Sequence, residues 1–419
     1  MSNFFLSAIK KNVADEDKRK VIVNFFYLSL ERITQLVIII IINRLLINHY
    51  NFGDFSSWQY SLVILAIFMT GTWICGAEVV IPKLLDAPSK INSTMSNVIL
   101  LRLAAGVFVA LCMVAWGIFA ASGLSRQFII GLAISVALRE TFIVGLTWYQ
   151  SQARLKLPCL VLMFAAIIKL IVIYIGVRNQ LPINYLWVAW VIESLLPCGF
   201  IFYTFRKATG FKFVKVDSEI FSYFKIGVAV WFCLIMQQVT MKFDRVYLEG
   251  KISGETYSNY AAALQLVDNW YAICILFVQA IAPIFIFKFI DITTIKRKLP
   301  FCIFATLSVT CAGALFTTIL ADMIIHVLYG AKLVYAYSYL KTFVWLTPIL
   351  AIDQLLSMVL IRMKQLKKLA IKWLIAFCLV VAIVPAIFHY MGLSNIVIGL
   401  AVVYAFNIIY STRCISAVQ

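Results

Sequence analysis

The residues best suited to chemistry in this chain are charged side chains embedded in long apolar runs. A charge at the centre of a membrane-spanning helix costs roughly 2.5–3.5 kcal/mol on insertion scales, so a charged residue there usually has a functional or structural role. Counting the rise per residue from the start of each run places eight such charges near mid-depth. They are Glu31, Arg32, Arg139, Glu140, Lys169, Glu193, Asp268 and Asp353.

The mid-depth cations are confined to the first half of the chain, as Arg32, Arg139 and Lys169. At that depth the second half offers only carboxylates, with Lys242, Asp244, Arg245 and Lys341 nearer the outer surface. Cations of this kind suit an anionic headgroup such as a phosphate or diphosphate. The carboxylates Glu31, Glu140, Glu193 and Asp268 could carry protons or Na⁺. The competing interpretation is that these charges form buried ion pairs that hold helices together.

Spacing indicates which faces the polar side chains share. The first apolar run carries Asn24, Tyr27, Glu31 and Gln35 at intervals of three and four residues, which gives one polar stripe on a helix. Two later runs repeat the pattern. The stripes are Gln237, Met241 and Asp244; Gln238, Lys242 and Arg245; and Ala261, Gln265 and Asp268. We expect these three helices to line a cavity, because lipid cannot satisfy such faces.

The amino-acid composition indicates whether the helices that carry these charges are surrounded by water or by lipid. The 419 residues are 63% hydrophobic and only 13% charged, and the mean hydropathy is +0.96. A soluble domain carries about a quarter charged residues, so a water-soluble monomer is excluded. The formal net charge of +18 could suggest nucleic acid, but its distribution, described below, does not.

About twelve apolar runs have the length of a membrane-spanning helix. We therefore predict an all-α polytopic membrane protein. The runs lie near residues 21–46, 55–76, 97–121, 127–149, 158–177, 184–204, 221–243, 258–287, 300–325, 336–361, 369–389 and 393–412.

The basic residues sort to one side of this topology. The loops on the N-terminal side hold 22 Lys and Arg residues, among them Lys18, Arg206, Lys288 and Arg413, and the opposite loops hold six. The positive-inside rule then places both termini in the cytoplasm. The charge is a topological signal, and no nucleic-acid partner is expected.

The runs divide into two halves at the longest interruption of the predicted cytoplasmic side. Each half has a glycine and an acid before its second helix, in NFGDFSS (Gly53, Asp54) and ISGETYS (Gly254, Glu255). We expect the carboxylate to cap the helix and the glycine to form the turn. The predicted organisation is a cytoplasmic N-terminus (1–20), an N-terminal six-helix bundle (21–204), a linker (205–220), a C-terminal six-helix bundle (221–412) and a cytoplasmic C-terminus (413–419).

Neither a metal nor a cofactor is predicted. The ten cysteines form no CxxC and no Cys/His cluster. The sequence has no GxxxxGK[ST] phosphate loop, so we expect energy from an ion or substrate gradient.

Three segments resemble a known family: NFGDFSSWQYSLVILAIFMTGTWICGAEVVIPKLL, KFDRVYLEGKISGETYSNYAAALQLVDNWYAICILFVQAIAPIF and IIHVLYGAKLVYAYSYLKTFVWLTP. They are similar to the O-antigen repeat-unit flippases (Wzx type) of the multidrug/oligosaccharidyl-lipid/polysaccharide (MOP) exporter superfamily, over essentially the whole chain. The resemblance implies a MATE-like, V-shaped pair of six-helix bundles and alternating access. Asp244 and Arg245 match the family's Asp-Arg pair, and Asp268 lies in the following similar run.

The resemblance also implies a transporter rather than an enzyme. Its substrate would be an undecaprenyl-diphosphate-linked oligosaccharide carried across the bacterial inner membrane, with H⁺ or Na⁺ as coupling ion. The other partners are membrane lipids, an O-antigen polymerase and a chain-length regulator. Arg32, Arg139, Lys169, Lys242 and Arg245 are the candidate substrate-binding residues. The candidate coupling or counter-charge residues are Glu31, Glu140, Glu193, Asp244 and Asp268.

Three alternatives remain open at this point. An ion-coupled multidrug antiporter of the same superfamily would use Glu31 and Asp268 and need no mid-depth arginines. A lipid-linked peptidoglycan precursor flippase would be expected to have about fourteen helices. A membrane-embedded glycosyltransferase or polymerase is disfavoured by the lack of a large outer loop and of an acid/base pair at a membrane face.

Overall fold

The computed structural model describes residues 2–215, 219–282, 285–286 and 291–417. Parts of the predicted linker (216–218) and of the eighth run, together with Lys288 and the last two residues, lie outside the described residues. The described residues are mainly helical and contain no strand. This confirms the all-α prediction.

Fifteen α-helices make up the described part of the chain. They are α1 (Ser2–His49), α2 (Phe52–Thr70), α3 (Ala77–Asp86), α4 (Ile91–Phe119), α5 (Gly123–Phe142), α6 (Gly145–Ser151), α7 (Lys156–Arg178), α8 (Trp187–Thr209), α9 (Glu219–Leu248), α10 (Gly254–Ala282), α11 (Ile292–Tyr329), α12 (Ala336–Phe343), α13 (Leu346–Arg362), α14 (Leu366–Met391) and α15 (Ile396–Ser416).

Many of these helices can cross a membrane. Among the described residues, eight helical segments are long and apolar enough to do so, and α5 with α6 makes a ninth if that pair, bent by 41°, counts as one span. The described part of each apolar run is mainly helical, and two runs each extend over a pair of helices, α5 with α6 and α12 with α13. Helices α1, α2 and α9 are not among the eight. The first half of α2 reads FGDFSSWQYS, which lowers its mean hydropathy. The protein is thus a multi-pass membrane protein.

The chain divides into two compact units. Unit 1 comprises Met1–Leu45 and Gly71–Val228, and unit 2 comprises Leu46–Thr70 and Ala229–Gln419. The predicted bundles were two consecutive stretches of chain, whereas α2 falls in unit 2. The physical reason is its packing: α2 makes its extensive contacts with α10, and buries Phe55, Trp58 and Tyr60.

The two glycine-acid turns of the sequence lie against each other in unit 2. A Cβ on Gly254 would lie 3.2 Å from the Cα of Gly53, and the Ser258 hydroxyl donates to the carbonyl of Phe52 at 3.1 Å. The predicted carboxylate caps are wrong in detail. The Asn51 side chain accepts from the N–H of Asp54 at 2.8 Å, and the Ser253 hydroxyl accepts from Thr256. The glycines serve close approach rather than a left-handed turn.

We expect Gly106→Ala to destabilise unit 1 by about 1–3 kcal/mol, because overpacking displaces backbone. A Cβ at Gly106 on α4 would lie 2.6 Å from the carbonyl oxygen of Ala137 on α5, which cannot move aside as a flexible side chain can. The matched control is Gly199→Ala on α8, where a Cβ meets nothing within 4 Å. That change should be neutral or stabilising, since alanine favours helix. Thermal unfolding in detergent compares the two; equal stability of both variants would contradict the close α4–α5 packing.

Candidate functional site

The polar stripe of α1 forms contacts inside unit 1. At its lower end Asn24 donates to the carbonyl of Ala153 at 2.7 Å and accepts from the N–H of Leu155 at 3.0 Å. Further along the same stripe, the side-chain amide of Gln35 donates to the carboxylate of Glu31, which lies one turn earlier on α1. Arg32, Arg139 and Glu193 are the charges that act on Glu31. The stripe therefore brings α1, α5 and α8 to one group of charges. That the stripes of α1, α9 and α10 line a cavity stays a prediction.

Lys169 of that group is already neutralised. Its ammonium on α7 donates to Glu193 Oε1 on α8 at 2.7 Å, and it lies 4.6 Å from the ring centre of Trp190. Lys169 is 7% exposed. Because its positive charge is balanced inside unit 1, Lys169 is less suited to hold a substrate anion than its depth alone indicates.

Glu140 has a partner that sequence reasoning missed, Arg102 on α4. The two side chains approach to 3.8 Å, and the Arg102 guanidinium also donates to the carbonyls of Glu140 at 3.2 Å and Cys75 at 2.9 Å. Cys75 precedes α3 and has a positive φ of 54°. Arg102 thus satisfies a carbonyl freed where the helix is interrupted between α2 and α3, which is a structural role.

Of the unit 1 charges predicted near mid-depth, two arginines and one carboxylate remain: Arg32, Arg139 and Glu31. Arg32 is exposed on α1, and Arg139 is half-buried on α5. The Nε of Arg139 is buried and makes no hydrogen bond to any described residue. With the two ion pairs set aside, this group carries one excess positive charge. A group with excess positive charge can attract an anion, so the assignment of Arg32 and Arg139 to a substrate anion stays a prediction.

Unit 2 holds a second group of charges, on α9 and α10. Asp268 accepts from the Lys242 ammonium and from both terminal nitrogens of Arg245, at 2.5 and 3.3 Å. Asp244 accepts from the Tyr260 hydroxyl at 2.5 Å and lies 3.8 Å from Arg245. These four predicted residues form one network whose charges balance.

A pocket of about 340 Å³, including its open mouth, adjoins this network. Asp244, Arg245 and Asp268 form its polar wall, and the rest is mainly apolar, including Phe343 and Tyr404. An enclosure with one polar wall and apolar surroundings strengthens electrostatic interactions within it. Both terminal nitrogens of Arg245 already donate hydrogen bonds within the protein, however, so few of its N–H groups are available to a ligand.

The structure also reveals a fully buried ion pair that sequence reasoning missed. Lys372 on α14 donates to Asp353 on α13 at 2.7 Å, and both are at most 2% exposed. Lys372 lies in the second turn of α14, where a sequence reader assigns the cation to the membrane surface. Both mid-depth carboxylates of the second half, Asp268 and Asp353, therefore have cationic partners.

Unit 1 contains six of the ten predicted site residues: Glu31, Arg32, Arg139, Glu140, Lys169 and Glu193. Unit 2 contains Lys242, Asp244, Arg245 and Asp268. The assignment of these residues to substrate or ion remains a prediction. In the part of the chain that the structure describes, no group of three or more His, Cys, Asp or Glu could hold a metal.

The carboxyl of Glu249, just after α9, gives a prediction of pH dependence. Burial raises the pKa of Glu249 to about 7 from a usual value near 4.5, so the folded state holds this proton more tightly than the unfolded state does. The contribution to stability is present below about pH 4.5 and is lost as the pH rises through about 7. We expect Glu249→Gln to flatten the fall in Tm between pH 5 and pH 8. The exposed carboxyl of Glu255 provides the control Glu255→Gln, which should keep the native slope; an unchanged slope in Glu249→Gln would refute the assignment.

No family model and no curated protein sequence matches this chain. Solved structures do. A multidrug resistance MATE transporter of the MOP superfamily, in its inward-facing conformation, matches with a TM-score of 0.67 at 13% identity, over 91% of this chain and 95% of that chain. The lipid II flippase MurJ, in an inward closed conformation, matches with a TM-score of 0.71 at 13% identity, over 94% and 88%.

A MOP superfamily transporter from Pyrococcus furiosus, described as having a binding pocket of reverse polarity, matches with a TM-score of 0.61 at 12% identity, over 94% and 96%. All three likenesses span nearly the whole chain. The protein therefore has the fold of MOP superfamily transporters, as the sequence resemblance implies. At this level of identity the likeness concerns the fold, and function is argued from the site.

Proposed function

We propose that the protein is a flippase that moves undecaprenyl-diphosphate-linked O-antigen repeat units, or those of a similar surface polysaccharide, across the bacterial inner membrane. The observation that carries this proposal is the unbalanced positive charge of unit 1. Arg32 and Arg139 act on a single carboxylate, Glu31, while Lys169 and Arg102 have carboxylate partners of their own. Guanidinium groups bind phosphate oxygens bidentately, so the pair suits a diphosphate.

The predicted topology fits this role. With both termini in the cytoplasm, the diphosphate would enter from the cytoplasmic leaflet, the glycan would occupy an aqueous cavity and the polyprenyl tail would remain in lipid. Alternating access would then expose the headgroup to the periplasm. Among proteins of this fold, MATE transporters with inward-facing and outward-facing conformations support such a cycle.

Glu31 is the proposed coupling residue. Its carboxylate shares one group of charges with Arg139, so protonating it would leave both arginines free for an anion. Binding of a proton and binding of the diphosphate would then favour each other. The network of Lys242, Asp244, Arg245 and Asp268 serves as a second, more strongly paired contact for the headgroup or as counter-charge.

The alternative function is ion-coupled multidrug antiport, and MATE transporters share the fold. A site for cationic drugs should be dominated by carboxylates, whereas the group at Glu31 holds two arginines, Arg32 and Arg139, against one carboxylate. A peptidoglycan precursor flippase is the other alternative, since MurJ, a lipid II flippase, also shares the fold. It differs from the main proposal in the sugar headgroup rather than in the mechanism.

A headgroup-resolved flipping assay tests the proposal. The purified protein is reconstituted in vesicles with a polyprenyl-diphosphate-linked oligosaccharide from the cognate strain, with lipid II, or with ethidium as a cationic drug. We expect flipping of the oligosaccharide lipid at a rate well above that of protein-free vesicles, and no ethidium transport. Transport of ethidium alone would overturn the flippase assignment, and flipping of lipid II alone would overturn the substrate.

A further inference from the structure

Five buried polar residues meet where α13, α14 and α15 pack together in unit 2. We call this group the buried lysine cluster; it consists of Asp353, Ser357, Lys372, Asn407 and Ser411. Every member is at most 5% exposed. The cluster shares no residue with the charges assigned above to the substrate or to ion coupling.

The ammonium of Lys372 lies at the centre of the cluster. It donates to Asp353 Oδ1 and to the Ser357 hydroxyl, both at 2.7 Å. The Asn407 amide lies close enough to interact with the Asp353 carboxylate, yet neither of its amide atoms makes a hydrogen bond of ordinary length to a described residue. The Ser411 hydroxyl, one turn further along α15, is also buried and makes no hydrogen bond to a described residue.

The cluster therefore contains more oxygen atoms able to bind a cation than a single lysine ammonium needs. A carboxylate, two hydroxyls and an amide carbonyl are hard oxygen ligands, the kind that hard cations such as alkali metal ions prefer. Buried polar groups ordinarily have partners, and an unsatisfied amide at 0% exposure is uncommon. The Lys372 ammonium thus contacts two oxygen ligands directly, and the amide of Asn407 lies beside the carboxylate that it contacts.

We propose that Lys372 is a tethered cation occupying a monovalent-cation site built by Asp353, Ser357 and Asn407. The lysine ammonium is a compact charge with three donors on a flexible stem, and it supplies permanently what a free ion would supply on binding. Removing the side chain beyond Cβ opens this site to a free cation of similar size. Ammonium, methylammonium and K⁺ are the ligands expected to fit.

One functional consequence rests on the function proposed above. If Lys372 occupies this site permanently, unit 2 takes up no ion at this place during transport. Ion coupling then has to depend on other groups, of which Glu31 in unit 1 is the candidate. The binding experiment below is independent of transport, so its failure and the failure of the flippase assignment can be told apart.

The test is chemical rescue of Lys372→Ala, measured as thermal unfolding of the purified full chain in detergent. Buffers of equal ionic strength contain the chloride of N-methyl-D-glucamine, Na⁺, K⁺, ammonium or methylammonium. We expect the Tm of Lys372→Ala to be at least about 3 °C higher in ammonium or K⁺ than in N-methyl-D-glucamine, because a ligand that binds only the folded state raises stability. The native protein should show no such difference.

The control is the double variant Lys372→Ala/Asp353→Asn, which keeps the cavity but removes the carboxylate. Without an unpaired buried charge it should unfold at a higher temperature than Lys372→Ala does in N-methyl-D-glucamine, and it should not respond to cations. Rescue of equal size in the double variant would overturn the proposal. So would a Lys372→Ala protein that has the same Tm in every buffer, or that stays unfolded in all of them while the double variant folds.

Discussion

Replacing Arg139 by alanine is expected to reduce flipping of the oligosaccharide lipid about 10- to 100-fold while the protein still folds and inserts. A hydrogen bond to a charged group contributes roughly 1.5–3 kcal/mol, which corresponds to this range. Among the described residues Arg139 forms no salt bridge and has a buried Nε without a hydrogen bond, so its removal breaks no buried ion pair. The measurement is the initial flipping rate in vesicles, normalised to the amount of folded protein.

The matched control for Arg139→Ala is Lys207→Ala, which removes one positive charge from an exposed position of α8. It should flip at the native rate. Arg32→Ala is expected to behave like Arg139→Ala, and Arg32→Lys should remain impaired if recognition is bidentate. Native rates in both alanine variants would refute the arginine site.

Lys169 separates binding from folding in the same assay. Lys169→Ala alone leaves Glu193 as an unpaired, largely buried carboxylate, so loss of activity would be ambiguous. The variant Lys169→Met/Glu193→Gln removes both charges, and exchanging a buried ion pair for neutral groups is often tolerated. A double variant that flips at the native rate would assign Lys169 to structure, whereas an inactive but folded one would place it in the site.

Replacing Asp268 by alanine is expected to lower the free energy of unfolding of unit 2 by about 3–5 kcal/mol, the usual cost of breaking a buried ion pair. Asp268 is the shared acceptor of Lys242 and Arg245, and the side chains of these two cations are 12% and 5% exposed. Without the carboxylate, two neighbouring positive charges repel each other with Asp244 as their remaining partner in the network. Thermal unfolding and the yield of folded protein in the membrane measure the effect.

Two further variants make the Asp268 prediction specific. Asp322→Ala removes an exposed carboxylate from α11 and should change stability by no more than about 0.5 kcal/mol. Asp268→Ala/Lys242→Ala removes one of the two repelling cations and should recover part of the loss, as expected for residues in one network. A single Asp268→Ala variant as stable as the native protein would show that the network contributes nothing.

The helices could be predicted from the sequence, because lipid imposes a simple rule on apolar runs. The described part of the twelve runs is mainly helical, although the runs at 127–149 and 336–361 each divide into two helices. The stripe on α1 was also readable, since its spacing of three and four residues depends only on helix geometry. Hydropathy could not assign α2 to unit 2, because packing against α10 depends on shape and polar contacts such as the one from Ser258 to Phe52.

The pairing of the charges could not be predicted from the sequence. Arg102 and Lys372 lie within a few residues of the predicted start of their runs, where snorkelling to the surface is the ordinary interpretation. Which carboxylate each cation meets depends on the rotation of two helices about their axes and on their neighbours. Neither property is encoded in the spacing along one helix.

The sequence by itself determined the solvent, the helical class and the positions of the charges that lipid cannot accept. It did so because the cost of burying a charge in lipid is set by local composition. Only the tertiary structure decided which charges neutralise one another: Lys169 with Glu193, Arg102 with Glu140, and Lys372 with Asp353. Electrostatic balance is a property of distances between helices, and on that ground we propose Arg32 and Arg139 as the contacts of an anionic substrate.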